Sequence, residues 1–118
     1  MSLRIFKDFH FDAAHFLPHL PEHHKCHRLH GHTYLLRVWC SGTLDDRGFI
    51  VDYAEIAEAA KAVLDVLDHQ CLNDIEGLAN PTTEVLVQWM WERMKPRLPS
   101  LCTIEVHESS TTGCVFAP

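Results

Sequence analysis

The chain has 118 residues, 47% of them hydrophobic, and a formal net charge of −6 with histidine neutral. That suits one domain over residues 1–118 with material for a real core, and the acidic balance argues against a nucleic-acid binder. No stretch approaches the ~20 apolar residues of a membrane span, Met1–Lys7 lacks the apolar run of a signal peptide, and five scattered cysteines (Cys26, Cys40, Cys71, Cys102, Cys114) suit reduced thiols in a cytoplasm.

In chain order, residues 3–15 alternate as a strand. Ile5, Phe9, Phe11 and Ala13 share one face; Arg4, Asp8, His10 and Asp12 share the other. Residues 17–29 form a polar loop punctuated by Pro18 and Pro21. Residues 30–41 are a second strand with Tyr34, Leu36, Val38 and Cys40 on one face. Asp45–Gly48 signals a turn, after which Phe49–Val51 is predicted to resume the sheet. Asp52 and Glu55 form a capping box for a helix whose stripe is Ile56, Ala57, Ala60, Val63, Leu64 and Leu67. That helix should end near Asp68–His69, followed by an irregular connection over 70–81. A second helix is expected from about Pro81–Thr82 to Met94, stopped by Pro96, with Val85, Leu86, Trp89 and Met90 toward the core. Residues 101–107 and 113–116 complete an α+β pattern: a four-stranded antiparallel sheet with two helices on one face. Such a sheet leaves two open edges, which invites pairing with further copies or closure into a shared barrel.

Of the ten histidines, seven lie from His15 through His32. Strand side chains alternate, so His30 and His32 share a face, and His15 ends the neighbouring strand. Three imidazoles with an open fourth position describe a catalytic zinc site; copper or nickel would also accept these donors. Ordinary surface histidines are the plain alternative. A zinc finger is a weaker one, because Cys26 has no CxxC partner. Cys26 lies between Lys25 and Arg28, surroundings that favour a nucleophile or base, although a free surface thiol fits the same residues. Asp68–His69 sets a carboxylate beside an imidazole, a weak signal alone. Glu108 continues the parity of Ile104 and Val106, so it is either exposed where the strand frays or aimed into a pocket.

The stretch Phe11-Asp12-Ala13-Ala14-His15 with Leu17-Pro18, then Cys26-x-x-x-His30-Gly31-His32, resembles the 6-pyruvoyl-tetrahydropterin synthase family. The resemblance continues through Leu67-Asp68-His69, Leu72-Asn73-Asp74, Asn80-Pro81-Thr82-Thr83-Glu84 and Glu108, in order along almost the whole chain. It implies the tunnelling fold (T-fold), with trimer barrels stacked into a homohexamer and active sites between subunits. It implies Zn²⁺ on His15, His30 and His32, Cys26 as general base, and His69 and Glu108 in a proton relay with Asp68 behind His69. Glu108, Thr82 and Thr83 would contact substrate. The three-residue interval between Cys26 and His30 resembles the bacterial branch that makes 6-carboxytetrahydropterin for queuosine. The implied reaction takes a pterin triphosphate, 7,8-dihydroneopterin triphosphate, and releases acetaldehyde and triphosphate. Formation of 6-pyruvoyltetrahydropterin and a non-catalytic zinc-binding assembly role are the alternatives. Two residues depart from the family pattern: His27 stands where glycine is expected, and Phe16 where arginine is.

Overall fold

The computed structural model describes residues 3–118. Two long strands lead the chain, β1 (Arg4–His15) and β2 (His30–Ser41), paired antiparallel from Arg4↔Ser41 to His15↔His30. Helix α1 (Tyr53–Leu67) follows, then a two-residue strand β3 (Gln70–Cys71), helix α2 (Thr83–Met94), β4 (Leu101–Ser109) and β5 (Thr112–Phe116). The sheet order is β3-β1-β2-β4-β5. It therefore has five strands, not four, and is not wholly antiparallel, because β3 runs parallel to the end of β1.

Parity decides which face is buried. Phe11 and Ala13 of β1, Tyr34, Leu36, Val38 and Cys40 of β2, and Ile104 and Val106 of β4 lie beneath the helices. Cross-strand register stacks them directly: Phe11 opposes Tyr34, Leu36 opposes Val106 and Val38 opposes Ile104. The Phe11 and Tyr34 rings stack with centroids 4.8 Å apart. Helix α1 opens on the expected capping box, with Asp52 accepting from the backbone and Glu55 reaching back to the Asp52 N–H. It buries Ile56, Ala59, Ala60, Val63 and Leu67. Ala59 joins the buried stripe, while the expected Ala57 and Leu64 are only half-buried. Helix α2 begins one residue beyond its cap, Thr82, and buries Leu86, Val87, Trp89, Met90 and Met94. At about 1.5–3 kcal/mol per fully buried aliphatic side chain, this single layer dominates the stability of the chain.

Two expectations for the connections fail. Phe49–Val51 does not rejoin the sheet. Both edges of β2 are already taken, by β1 and β4, and Ile50 and Val51 pack against the core from a loop instead. The 70–81 connection is also more ordered than expected, since it contains β3 and a 3₁₀ turn at Leu72–Asp74.

Among the described residues, the other face of the sheet carries no helix. There Arg37 makes two bonds to Asp8 (2.7 and 2.9 Å), Phe6 tilts against Trp39 at 4.9 Å, and Glu105 accepts from Trp39 and His107. Phe6 remains 43% exposed on this face. Among the described residues, no helix is long and apolar enough to cross a membrane.

Candidate functional site

Three core-facing rows run out at the same end of the sheet, and each ends in a chemical group. The row Phe11, Ala13 ends in His15. The row Tyr34, His32 ends in His30. The row Ile104, Val106 ends in Glu108. Antiparallel register makes His15 and His30 direct partners and sets His32 opposite the small Ala13. Gly31, between the two β2 histidines, lies so close to β1 that a Cβ there would meet the Ala13 carbonyl oxygen at 3.3 Å.

The three imidazoles converge, with ring centroids 4.6, 5.0 and 5.1 Å apart. One ligand atom from each lies within 4.8 Å of the others. His15, only 1% exposed, points its Nδ1 at the Pro81 carbonyl oxygen at 2.9 Å. His30 points its Nδ1 at the Arg28 carbonyl oxygen at 2.7 Å. A carbonyl only accepts, so both Nδ1 atoms carry the ring proton, and both Nε2 atoms of the neutral rings present lone pairs. Those two Nε2 atoms face each other at 3.0 Å. Burial holds His15 and His32 below the ordinary histidine range, which favours neutral rings. The Nε2 of His32 is buried without a hydrogen-bond partner.

Converging lone pairs repel unless a cation lies between them. Two nitrogens on a tetrahedral zinc ion stand about 3.3 Å apart, close to the spacing here. The donor set therefore fits a zinc ion, with carbonyls fixing the tautomers of two of the three rings as outer partners of metal sites do. Tyr34, fully buried beneath the cluster, has its hydroxyl 3.4 Å from His15 Nδ1, and burial pushes its phenol well above the ordinary range. Glu108 is turned inward: its Oε2 lies 3.6 Å from His32 Nε2, with 27% of its side chain exposed.

A cleft of about 540 Å³ opens beside the cluster, lined by His32, Gly31, Thr33, Asp12 and the segment His69–Cys71. His69 is the one non-glycine residue with a left-handed backbone among those described, at φ 62°. Its Nδ1 lies 3.0 Å from Asp68 Oδ1. The backbone of β1 brackets this pair: the Asp12 N–H donates to Asp68 Oδ1 (3.0 Å), and the His69 N–H donates to the Asp12 carbonyl oxygen (2.6 Å). The bond from the Asp12 N–H, followed by the His69 side chain, keeps the Asp68 carboxyl below the usual range. The Thr33 hydroxyl donates to the Asp12 carboxylate. His32 and His69 thus line one cleft.

Cys26 sits in a one-turn 3₁₀ helix, Lys25–His27. Its N–H donates to His24 Nδ1 at 3.0 Å and its carbonyl accepts from Leu17 at 2.9 Å, which closes the 17–26 loop. Among the described residues its thiol has no hydrogen-bond partner, and only the four-residue step to His30 ties it to the cluster. His27 is not part of the three-histidine group, and its Nδ1 is buried without a partner. The Thr82 hydroxyl caps α2 by accepting from Val85, and the Thr83 hydroxyl donates to Glu84. Sequence reasoning assigned no role to Asp12 or Thr33, both of which line the cleft. Asp12 had a signal, an acid three residues before His15 on the outward parity of β1.

A family model described as 6-pyruvoyl tetrahydropterin synthase matches residues 4–118. The chain is 36% identical over 122 residues to the 6-carboxy-5,6,7,8-tetrahydropterin synthase of Synechocystis, covering 97% of this chain and 93% of the relative. A Bacillus subtilis protein of the same name is 34% identical over 130 residues, covering 99% and 86%. A dihydroneopterin monophosphate aldolase of Pyrococcus furiosus is 35% identical over 99 residues, covering 84% and 81%. Among solved structures, the Caenorhabditis elegans 6-pyruvoyl tetrahydropterin synthase superposes with a TM-score of 0.90 at 24% identity, over 100% of this chain and 96% of that one; it shares the fold.

Proposed function

This chain belongs to the 6-pyruvoyl tetrahydropterin synthase family, and on that premise we propose that it is a zinc-dependent 6-carboxytetrahydropterin synthase. It would convert 7,8-dihydroneopterin triphosphate to 6-carboxy-5,6,7,8-tetrahydropterin, releasing acetaldehyde and triphosphate, as a step toward queuosine. The observation that carries the metal chemistry is the pair of unprotonated Nε2 atoms facing each other at 3.0 Å beside the unpartnered Nε2 of His32.

His15, His30 and His32 would hold the ion. When bound, zinc supplies Lewis-acid polarisation of substrate oxygens and so acidifies the neighbouring carbons. The remaining chemistry falls to the chain's own groups. Cys26 takes the proton from the side-chain carbon. His69, oriented by Asp68 through the 3.0 Å contact, returns a proton at the adjacent position. Glu108, at the cluster's edge, anchors the pterin by accepting from the N–H groups of its ring. Thr83 and Thr82 are the remaining substrate contacts in this reading; the Thr82 hydroxyl already serves as the helix cap, so the larger share falls to Thr83.

The chain would work as one domain in a cytoplasmic homohexamer built from two trimers. Three features support assembly. Apart from Ala13–Ala14, the outer edge of β1 has no strand partner among the described residues. One face of the sheet carries no helix. The radius of gyration is 15.3 Å, against about 13.5 Å for a compact monomer of this length. All five cysteines are free, which suits a reducing compartment.

A second reading comes from the archaeal aldolase relative. Retro-aldol cleavage of dihydroneopterin monophosphate would use the same base and cluster, and would give a hydroxymethyl pterin and glycolaldehyde phosphate. One experiment separates the readings. The zinc-loaded protein is incubated with each substrate and the products are resolved. Acetaldehyde with 6-carboxytetrahydropterin supports the proposal. A pyruvoyl pterin, or hydroxymethyl pterin from the monophosphate alone, replaces it.

A further inference from the structure

Strand β3 pairs with β1 at Ala13↔Gln70 and Ala14↔Cys71. Continued two rungs, that parallel ladder would set Asn73 against Phe16. The backbone does not continue, because Leu72–Asp74 coils into a 3₁₀ turn. The side chain of Asn73 continues it instead. Its Oδ1 accepts from the Phe16 N–H at 3.0 Å, and its Nδ2 donates to the Phe16 carbonyl oxygen at 2.8 Å. A primary amide has the donor and acceptor of a peptide group, so it can replace a strand backbone at this rung. Nδ2 also reaches the Ala79 carbonyl oxygen at 3.3 Å. Ala79 lies two residues before Pro81, whose carbonyl oxygen receives the Nδ1–H of His15.

His15 is therefore held on two sides by what Asn73 ties together. The backbone just past it is clamped by both arms of the amide, and the segment that orients its ring is fastened to the same amide. We infer that Asn73 is a positioning residue for His15 as a metal ligand. This inference rests on the reading that the three histidines hold zinc. The clamp requires an amide. In Asn73→Asp one bond survives, but the second carboxylate oxygen faces the carbonyls of Phe16 and Ala79, and oxygen against oxygen repels. Asn73→Ala removes both arms.

The test is zinc affinity, measured by competition with a chromophoric chelator on wild type, Asn73→Asp and Asn73→Ala, alongside the thermal stability of each metal-free protein. Loss of an outer-shell support costs roughly 10–100-fold in metal affinity. That loss, with metal-free stability lowered by far less than an unfolding variant would show, supports the inference. Unchanged affinity with lowered stability makes Asn73 a structural residue and overturns it. If neither variant folds, amide exchange on wild type decides. Protection of the Phe16 N–H comparable to that of β1 supports the clamp, and exchange at the rate of an open loop refutes it. Wild type that binds no zinc at all overturns the metal reading itself, a result distinct from wild-type affinity that the variants leave untouched.

Discussion

His69 combines backbone strain with a proposed catalytic ring, and the two can be separated by substitution. The chain leaves α1 at Asp68 in extended conformation, and His69 then takes φ 62°, which swings Gln70 and Cys71 parallel to β1. For an L-residue the left-handed region costs about 1–2 kcal/mol. His69→Gly removes that cost, while the freer unfolded chain offsets roughly 0.4–1 kcal/mol of the gain. His69→Ala keeps the strain. Both lose the ring, whose contact with Asp68 is exposed, 76% and 46% for the two side chains, and so is screened by solvent. The glycine variant should therefore be more stable than the alanine variant by about 0.5–1 kcal/mol, or about 2–5 °C in midpoint for a chain this size. Thermal scans at matched protein and zinc concentrations measure the difference, since assembly and metal both shift the midpoint. Turnover per folded subunit should fall roughly 10²–10⁴-fold in both variants, the usual contribution of acid–base catalysis. An alanine variant as stable as the glycine one would show that the left-handed turn is not imposed by the fold. Undiminished turnover in either would remove His69 from the relay.

Cys26→Ala should retain zinc and assembly yet lose roughly 10²–10⁴ in turnover; normal turnover per zinc-loaded subunit would move the base elsewhere. In the metal-free protein, burial depresses His15 and His32 below their unfolded value of 6.5. The unfolded chain then binds more protons in that range, so stability should be intact above about pH 6.5 and decline as pH falls through the folded values. Denaturant titrations of the chelated protein from pH 8 to 5 check this, and a flat or inverted profile would contradict it.

Much of the scaffold was legible because local rules and tertiary context agreed. The alternation of Tyr34, Leu36, Val38 and Cys40 located β2, and it ends where expected. Asp52 and Glu55 announced α1, and Pro81 and Pro96 bracketed α2. The failures share one physical cause: pairing depends on which edges are free. Phe49–Val51 reads as a strand, but β2 had no edge left to give it. Gln70–Cys71 is too short to show a period, yet it pairs because the end of β1 is open. The inward turn of Glu108 toward His32 likewise followed from a parity the sequence displays, but only the position of His32 decided between pocket and solvent.

The site itself follows from the sheet with little addition. Successive same-face residues on a strand lie about 6.6–6.8 Å apart, and direct cross-strand partners have Cβ atoms about 4.5–5.5 Å apart. Spacing alone would bring His15 and His30 together across two strands but would not bring His32 to either of them. The cluster forms because His30 has a histidine partner and His32 has an alanine one, so the His32 ring has room to lean toward the other two. A register slip of one residue between β1 and β2 would turn His15 to the opposite face and expose Phe11 and Ala13. Histidine convergence and core burial therefore select the same register. The hydrophobic rows that fold the protein also aim its histidines, and a substitution that loosens that register should weaken metal binding even when it lies well away from the cluster.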